Sequence, residues 1–219
     1  MRQQFRSVIT GVGCALPKRQ VSNSELSEEI QQHGGQPTTD EWMIRRTGIA
    51  SRHVVSDGET AATLGAKAAR AALDHAGRSP AEVDEIIVAT CTPDYRTPSA
   101  ACLIHRQLGC RREIPAGDYN GACSGFILAL DHADALAVHR GRRVLVIGTE
   151  VLSSITDPGY RDIRTLMGDG AGAVVVEPRA DSPNGMLGFR LGTDSAGADL
   201  IKVPAGGSAR QAIPSAEAG

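Results

Sequence analysis

Aromatic side chains are scarce in this chain, with one tryptophan, three tyrosines and three phenylalanines in 219 residues. No basic stripe with interleaved rings can be drawn from them, so a nucleic-acid surface is not expected. Lys and Arg total 23 against 25 Asp and Glu, a formal net charge of -2, which supplies no strong field for a charged partner. No apolar run approaches the length of a bilayer span, and Met1-Arg2-Gln3-Gln4-Phe5 lacks the apolar core of a signal peptide. The chain reads as soluble and cytoplasmic, without a membrane partner. The five cysteines, Cys14, Cys91, Cys102, Cys110 and Cys123, are odd in number and form no Cys-x-x-Cys pair, so neither a disulfide framework nor a zinc site is indicated. The six histidines show no His-x-x-x-His or Glu-x-x-His spacing, and no metal is expected.

What remains is a regular alternation of two patterns. Short β-branched runs at Val8 to Val12, Glu85 to Thr90, Val144 to Ile147 and Ala173 to Val176 predict buried strands, and Ile114 to Tyr119 would supply the strand leading to Cys123. Alanine-rich segments predict helices over Ala61 to Ala76, Ala100 to Leu108 and Ser124 to His139, the first ended by Gly77 and the last by Gly141. Strands separated by helices imply crossover connections and an α/β fold built on a mainly parallel mixed sheet covered on both faces. Two insertions interrupt the alternation, at about Pro17 to Val55 and Leu152 to Leu166, and Gly188 to Gly192 is a candidate edge strand. Residues 1–204 read as one structural body. The stretch 205–219, rich in Gly, Ser, Ala and Pro, reads as loop or disordered tail.

One residue stands out chemically. Cys123 lies in Asn120-Gly121-Ala122-Cys123-Ser124-Gly125-Phe126, between a predicted strand and a predicted helix. A thiol at such a junction faces the positive end of the helix dipole, which favours thiolate and makes the sulfur a nucleophile suited to acyl transfer. The small neighbours permit a sharp turn and close substrate approach. Ligands of parallel sheets bind beyond the carboxyl ends of the strands, where this junction lies. Cys91 shares that edge as a rival, but Thr92-Pro93-Asp94 after it is a turn sequence with no helix start, which makes it the weaker candidate.

Taken together, Thr39-Asp40-Glu41-Trp42 followed by Arg46-Thr47-Gly48-Ile49, Pro98-Ser99-Ala100, Gly121-Ala122-Cys123-Ser124-Gly125-Phe126 and Gly168-Asp169-Gly170-Ala171-Gly172-Ala173 resemble β-ketoacyl-acyl-carrier-protein synthase III, of the thiolase superfamily. The resemblance runs from about residue 6 to 206. It implies a thiolase-like fold, with this chain as the amino-terminal half of a five-layered αβαβα body and the carboxy-terminal half absent. It also implies an acyltransferase that moves an acyl group from acyl-CoA to Cys123 and condenses it with malonyl-acyl carrier protein to start fatty-acid synthesis. Acyl-CoA is then substrate rather than cofactor, no cofactor is implied, and the protein is a homodimer. Trp42, Arg46 and Arg161 match the family's contacts to the CoA nucleotide, an assignment that suits an indole face against adenine and guanidinium groups against phosphates.

Gly168 to Gly172 lacks the Lys-Ser/Thr ending of a phosphate loop and leads into a strand. Its expected role is structural, with glycines that allow close backbone packing near the cysteine. The family's His-Gln-Ala-Asn and Gly-Asn-Thr motifs, which supply the catalytic histidine and asparagine, do not occur in these residues. His33, His53, His75, His105, His132 and His139 match none of them. Without those oxyanion donors the chain alone is expected not to complete the condensation, and a half-body is expected to expose an apolar face on the helix after Cys123. Asp162 beside Arg161 and Met167 before Gly168 depart from the common family pattern. The alternatives are a non-catalytic remnant or dimerising module, and a related ketosynthase of secondary metabolism.

Overall fold

The computed structural model describes residues 5–180 and 182–211. Residues 1–4 and 212–219, on which the reading of the opening segment and the end of the tail fall, lie outside the described residues. Two units are distinguished, Met1–Gly188 and Phe189–Gly219, whereas composition alone put the change of character at residue 205. In the second unit the one regular feature among the described residues is a 3-10 turn, Ser195–Gly197, where Asp194 accepts from the Ala196 N–H. The candidate edge strand over Gly188 to Gly192 does not form. Three side chains between two glycines offer little to pack against a sheet, and glycine is costly to order in a strand.

The first unit begins with β1 (Phe5–Ala15) and then an insertion of β2 (Arg19–Ser22), α1 (Asn23–Gln32), α2 (Asp40–Thr47) and β3 (Ser51–Val54). The alternation follows as α3 (Ala61–Ala76), β4 (Glu85–Ala89), α4 (Ala100–Leu108), β5 (Ala116–Tyr119), α5 (Gly125–Arg140), β6 (Val144–Val151), the single-turn α6 (Arg161–Arg164) and β7 (Asp169–Ala180). The main sheet has the order β1-β7-β6-β4-β5. β4 pairs in parallel with β5 and β6, while β7 is antiparallel to β6 and β1. Four strands therefore share one direction and β7 opposes them, which is the mainly parallel mixed α/β sheet expected from the sequence.

Side chains alternate across the sheet with period two. Ile86 and Val88, Leu145 and Ile147, and Val175 join the core beneath α3 and α4. Their neighbours Ile87 and Ala89, Val144 and Val146, and Val176 join the core beneath α5. Burial of both faces explains why these strands are continuous apolar runs rather than alternating ones. The result is three layers, helix, sheet and helix, of the five that the resemblance implies.

Two glycines of β1 set the spacing of the layer containing α3. A Cβ at Gly11 or Gly13 would overlap the carbonyl oxygen of Ala72 or Ala68. The alanine-rich face of α3 therefore rests directly on backbone, an approach that no larger residue on either element permits. The two helices differ on their outer faces. α3 turns Lys67, Arg70 and Asp74 outward, whereas Ile127 of α5 is exposed and Leu128, Leu130 and Val138 are only half-buried. α5 is thus apolar over most of its circumference, which suits a helix covered on more than one side.

The amino ends of the parallel strands are bound by charge pairs. Glu177 of β7, 2% exposed, accepts hydrogen bonds from Arg78, Arg143 and Arg179. Arg142 pairs with Glu85 at 2.5 Å and Arg111 with Asp84 at 2.7 Å. Burial alone would raise the Glu177 pKa, but the bonds from Arg143 and Arg78 prevail and hold it below the usual carboxylate value.

Candidate active site

At the opposite end of the same strands the chain makes a strained turn. β5 ends at Tyr119, and residues 122–124 form a 3-10 turn that runs into α5. Ala122 has φ +44°, a left-handed backbone that costs a residue with a Cβ about a kcal/mol or more and that persists only where its surroundings impose it. Gly121 is one such constraint, because a Cβ there would come within 2.8 Å of Leu128 and 2.9 Å of Gly125. The turn leaves Cys123 exposed, immediately before the first turn of α5.

The start of α5 differs from the other long helices. α1, α2, α3 and α4 begin with Ser22, Thr39, Thr60 and Ser99, each of which accepts a hydrogen bond from a first-turn N–H. Ser124 makes no side-chain cap. The leading amides of α5 beyond Gly125, whose N–H reaches Ala122, are left without a side-chain acceptor from Ser124.

Cys91, after β4, has a different environment. Its N–H donates to Glu150 at 2.8 Å and its Sγ lies 3.4 Å from the same carboxylate. Thr92 Oγ1 donates to Glu150 at 2.5 Å and accepts from the Val151 N–H at 2.8 Å. Burial, then the Glu150 charge and hydrogen bond, push the Cys91 thiol up to about 11, and the neighbouring Cys123 adds to the rise. Cys91 is therefore kept as a thiol at neutral pH. The organising role of Glu150 was missed in the sequence. Its only signal was an acid at the carboxyl end of a predicted strand, with nothing to say that the chain after β4 would turn back onto it.

The structure brings Trp42, Arg46 and Arg161 together across 119 residues of chain. In α2, capped by Thr39 and ended by left-handed Gly48, Arg46 follows Trp42 by one turn and its Cζ lies 5.9 Å from the indole centroid. Arg161 arrives from α6 and stacks closer, at 4.5 Å, within the range of a cation–π contact. Its Nη1 donates to the Pro37 carbonyl at 3.3 Å, and its Nε pairs with Asp162 at 3.1 Å. Trp42 also lines an open groove of about 390 Å³ with Pro37, Thr38, Thr39, Glu41 and Arg45. Among the described residues Arg45 and Arg46 make no ion pair.

Buried contacts hold the two insertions in this arrangement. Arg164 of α6 donates to Glu29 of α1 at 2.8 Å. Arg52 of β3 donates to Asn23 and to the Thr165 carbonyl at 2.8 and 3.1 Å. Desolvation and then the nearby Arg164 charge lower the Arg52 pKa, so the two buried guanidinium groups repel one another while Glu29 and the neutral acceptors hold them. Asp169 accepts from the Val55 N–H and from Ser153. The Gly168 to Gly172 segment is structural as expected, but its location corrects one detail. The atoms nearest Gly168 and Gly170 belong to Arg52, His53, Leu16 and Ala15 rather than to Cys123. The glycines open β7, so they pack against β3 and the chain following β1.

No group of three His, Cys, Asp or Glu among the described residues is arranged to hold a metal ion, and no helix is long and apolar enough to cross a membrane. The described residues offer an exposed thiol before an uncapped helix start and, separately, an indole stacked by arginine beside Arg45 and Arg46, which make no ion pair.

A family described as 3-oxoacyl-[acyl-carrier-protein] synthase III matches residues 117–195, which include the Cys123 turn. The chain is 42% identical over 215 residues to a β-ketoacyl-[acyl-carrier-protein] synthase III of Brucella melitensis, covering 95% of this chain and 64% of that protein. A solved 3-oxoacyl-[acyl-carrier-protein] synthase III from Aquifex aeolicus is similar with a TM-score of 0.74 and 43% identity, over 80% of this chain and 55% of that one. A priming β-ketosynthase from the R1128 polyketide pathway is similar with a TM-score of 0.73 and 39% identity, over 82% of this chain and 52% of that one. The chain thus spans about two-thirds or less of the length of the proteins it matches.

Proposed function

We propose that the chain belongs to the β-ketoacyl-[acyl-carrier-protein] synthase III family, to whose members it is similar, and that it takes an acyl group from acyl-CoA onto Cys123 to start fatty-acid synthesis in the cytoplasm. The observation that carries this reading is the exposed Cys123 on a strained turn before α5, which among the described residues is the long helix that starts without a side-chain cap. The sulfur attacks the thioester carbonyl, a new C–S bond forms, and the CoA sulfur leaves and takes up a proton. The amides at the start of α5 are suited to stabilise the negative charge that develops. Trp42 stacks on the adenine, and Arg46 and Arg161 flank the nucleotide end.

In the second step the acyl group passes to the carbanion formed when malonyl-acyl carrier protein loses carbon dioxide, and the Cys123 sulfur is released. Cys123 carries the acylation step, and the oxyanion donors of the second step are not assigned among these residues. The loss of one oxyanion donor costs about two to three orders of magnitude in rate. A homodimer belongs to the same proposal and is supported by β5, which pairs on one side only and leaves free backbone groups on the other.

Incubation with acetyl-CoA followed by peptide mass mapping tests the reading. One acetyl group is expected on the Cys123 peptide and none after Cys123→Ala. Acetylation that persists in Cys123→Ala, or that never reaches Cys123 at saturating acetyl-CoA, refutes it.

A further inference from the structure

We propose that Asp162 is a specificity-determining residue that weakens the grip of this site on the charged end of CoA by neutralising Arg161. This rests on the reading of Trp42, Arg46 and Arg161 as the CoA site.

Arg161 is the guanidinium closest to the indole, and two of its three nitrogens are engaged, Nη1 by the Pro37 carbonyl and Nε by Asp162. Asp162 follows Arg161 in α6 and is 60% exposed, so its charge faces the same solvent that an arriving phosphate must cross. Arg45 and Arg46 have no carboxylate partner among the described residues. The site therefore divides its labour. Arg161 serves as a flat, electrically compensated plate over Trp42, and the uncompensated arginines of α2 supply the attraction for phosphate. A phosphate that reached Arg161 would have to displace or lie beside the Asp162 carboxylate, and at a separation of several Å in a solvent-exposed setting one like charge changes affinity by about two- to fivefold. The effect is screened by salt, because nothing encloses it.

Trp42 is the chain's single tryptophan, so its fluorescence reports on this site without need of turnover. The experiment titrates coenzyme A and 3′-dephospho-coenzyme A into the wild type, Asp162→Asn and Asp162→Glu at low and high salt, with calorimetry in parallel. Asp162→Asn is expected to tighten coenzyme A about two- to fivefold at low salt. That gain should shrink at 0.5 M salt and be smaller for the 3′-dephospho compound, and Asp162→Glu should keep wild-type affinity. If Asp162→Asn binds no more tightly while coenzyme A still quenches Trp42, the role of Asp162 is overturned and the CoA site stands. If millimolar coenzyme A produces neither quenching nor heat in any variant, the CoA site itself fails and takes this proposal with it.

Discussion

The two ends of one sheet are built on opposite principles. At the amino ends of the parallel strands, buried Glu177 is bound by Arg78, Arg143 and Arg179, and Arg142 and Arg111 have their own acids. At the carboxyl ends, Ala122 is strained, α5 begins without a side-chain cap, and Cys123 is exposed. Stability is concentrated where no chemistry is proposed, and exposed, unpaired groups are concentrated where it is. A strained turn of this kind is tolerable because the structure around it is over-determined. The same division recurs between two cysteines on the carboxyl edge. Glu150 gathers Cys91 and Thr92 into a bonded cluster, whereas Cys123, on the next strand-helix junction, has nothing comparable.

The largest effect is expected from attacking the amino edge. Glu177→Gln removes the buried carboxylate shared by three arginines, two of which, Arg78 and Arg143, keep Glu82 as a partner, and should cost about 2–4 kcal/mol in urea unfolding, since several charge-assisted hydrogen bonds are weakened at once. Alkylation of Cys123 by iodoacetamide under native conditions should be unchanged, and a parallel loss there would erase the distinction between the edges. The carboxyl group of Glu177 is depressed in the folded state, so its stabilisation is present above the unfolded carboxylate pKa of about 4.3 and is lost as pH falls through the folded value. Acid unfolding of the wild type should therefore be steeper below about pH 4.5 than that of Glu177→Gln.

A smaller effect is expected at the edge proposed to be reactive. Glu150→Gln weakens the acceptor of the Cys91 N–H and the Thr92 hydroxyl and should cost about 1–3 kcal/mol. It should also bring the Cys91 thiol down from about 11, because the like charge that opposes its ionisation is gone. Mass-mapped alkylation at pH 9 would show this as a faster Cys91 reaction, and an unchanged rate would exclude Glu150 as the cause. The smallest effect is alkaline. The raised Cys91 value means that its contribution is complete below the unfolded thiol value of 9.0 and is lost as pH climbs toward about 11. The decline in stability over that range should be shallower in Cys91→Ala than in the wild type, the remainder coming in part from Cys110, whose thiol is also raised by burial.

Much of this division could be read from the chain, for reasons that differ by element. α3 and α4 have the bounds expected from their alanine-rich patterns, and α5 is shifted by one residue. Helix stops are local, since a left-handed glycine such as Gly77 or Gly141 ends a helix wherever it folds. The junction at Cys123 was legible because strand, small-residue turn and helix follow one another in sequence. The Gly188 to Gly192 strand was misread because strands need a partner and the pattern cannot name one. Glu150 was not assigned because its importance lies in Cys91 and Thr92, some sixty residues away.

By itself the sequence determined the order of the alternating strands and helices outside the two insertions, the position of the thiol and the class of sheet, because periodicity, caps and breakers act over a few residues. Only the tertiary structure decided which groups meet. Arg161 lies over Trp42 because Arg164 and Glu29 join two insertions, Cys91 is silenced because β4 and β6 lie side by side, and Glu177 finds its arginines where three strand ends converge. Such contacts depend on distances that fold across the chain, and no local pattern carries them.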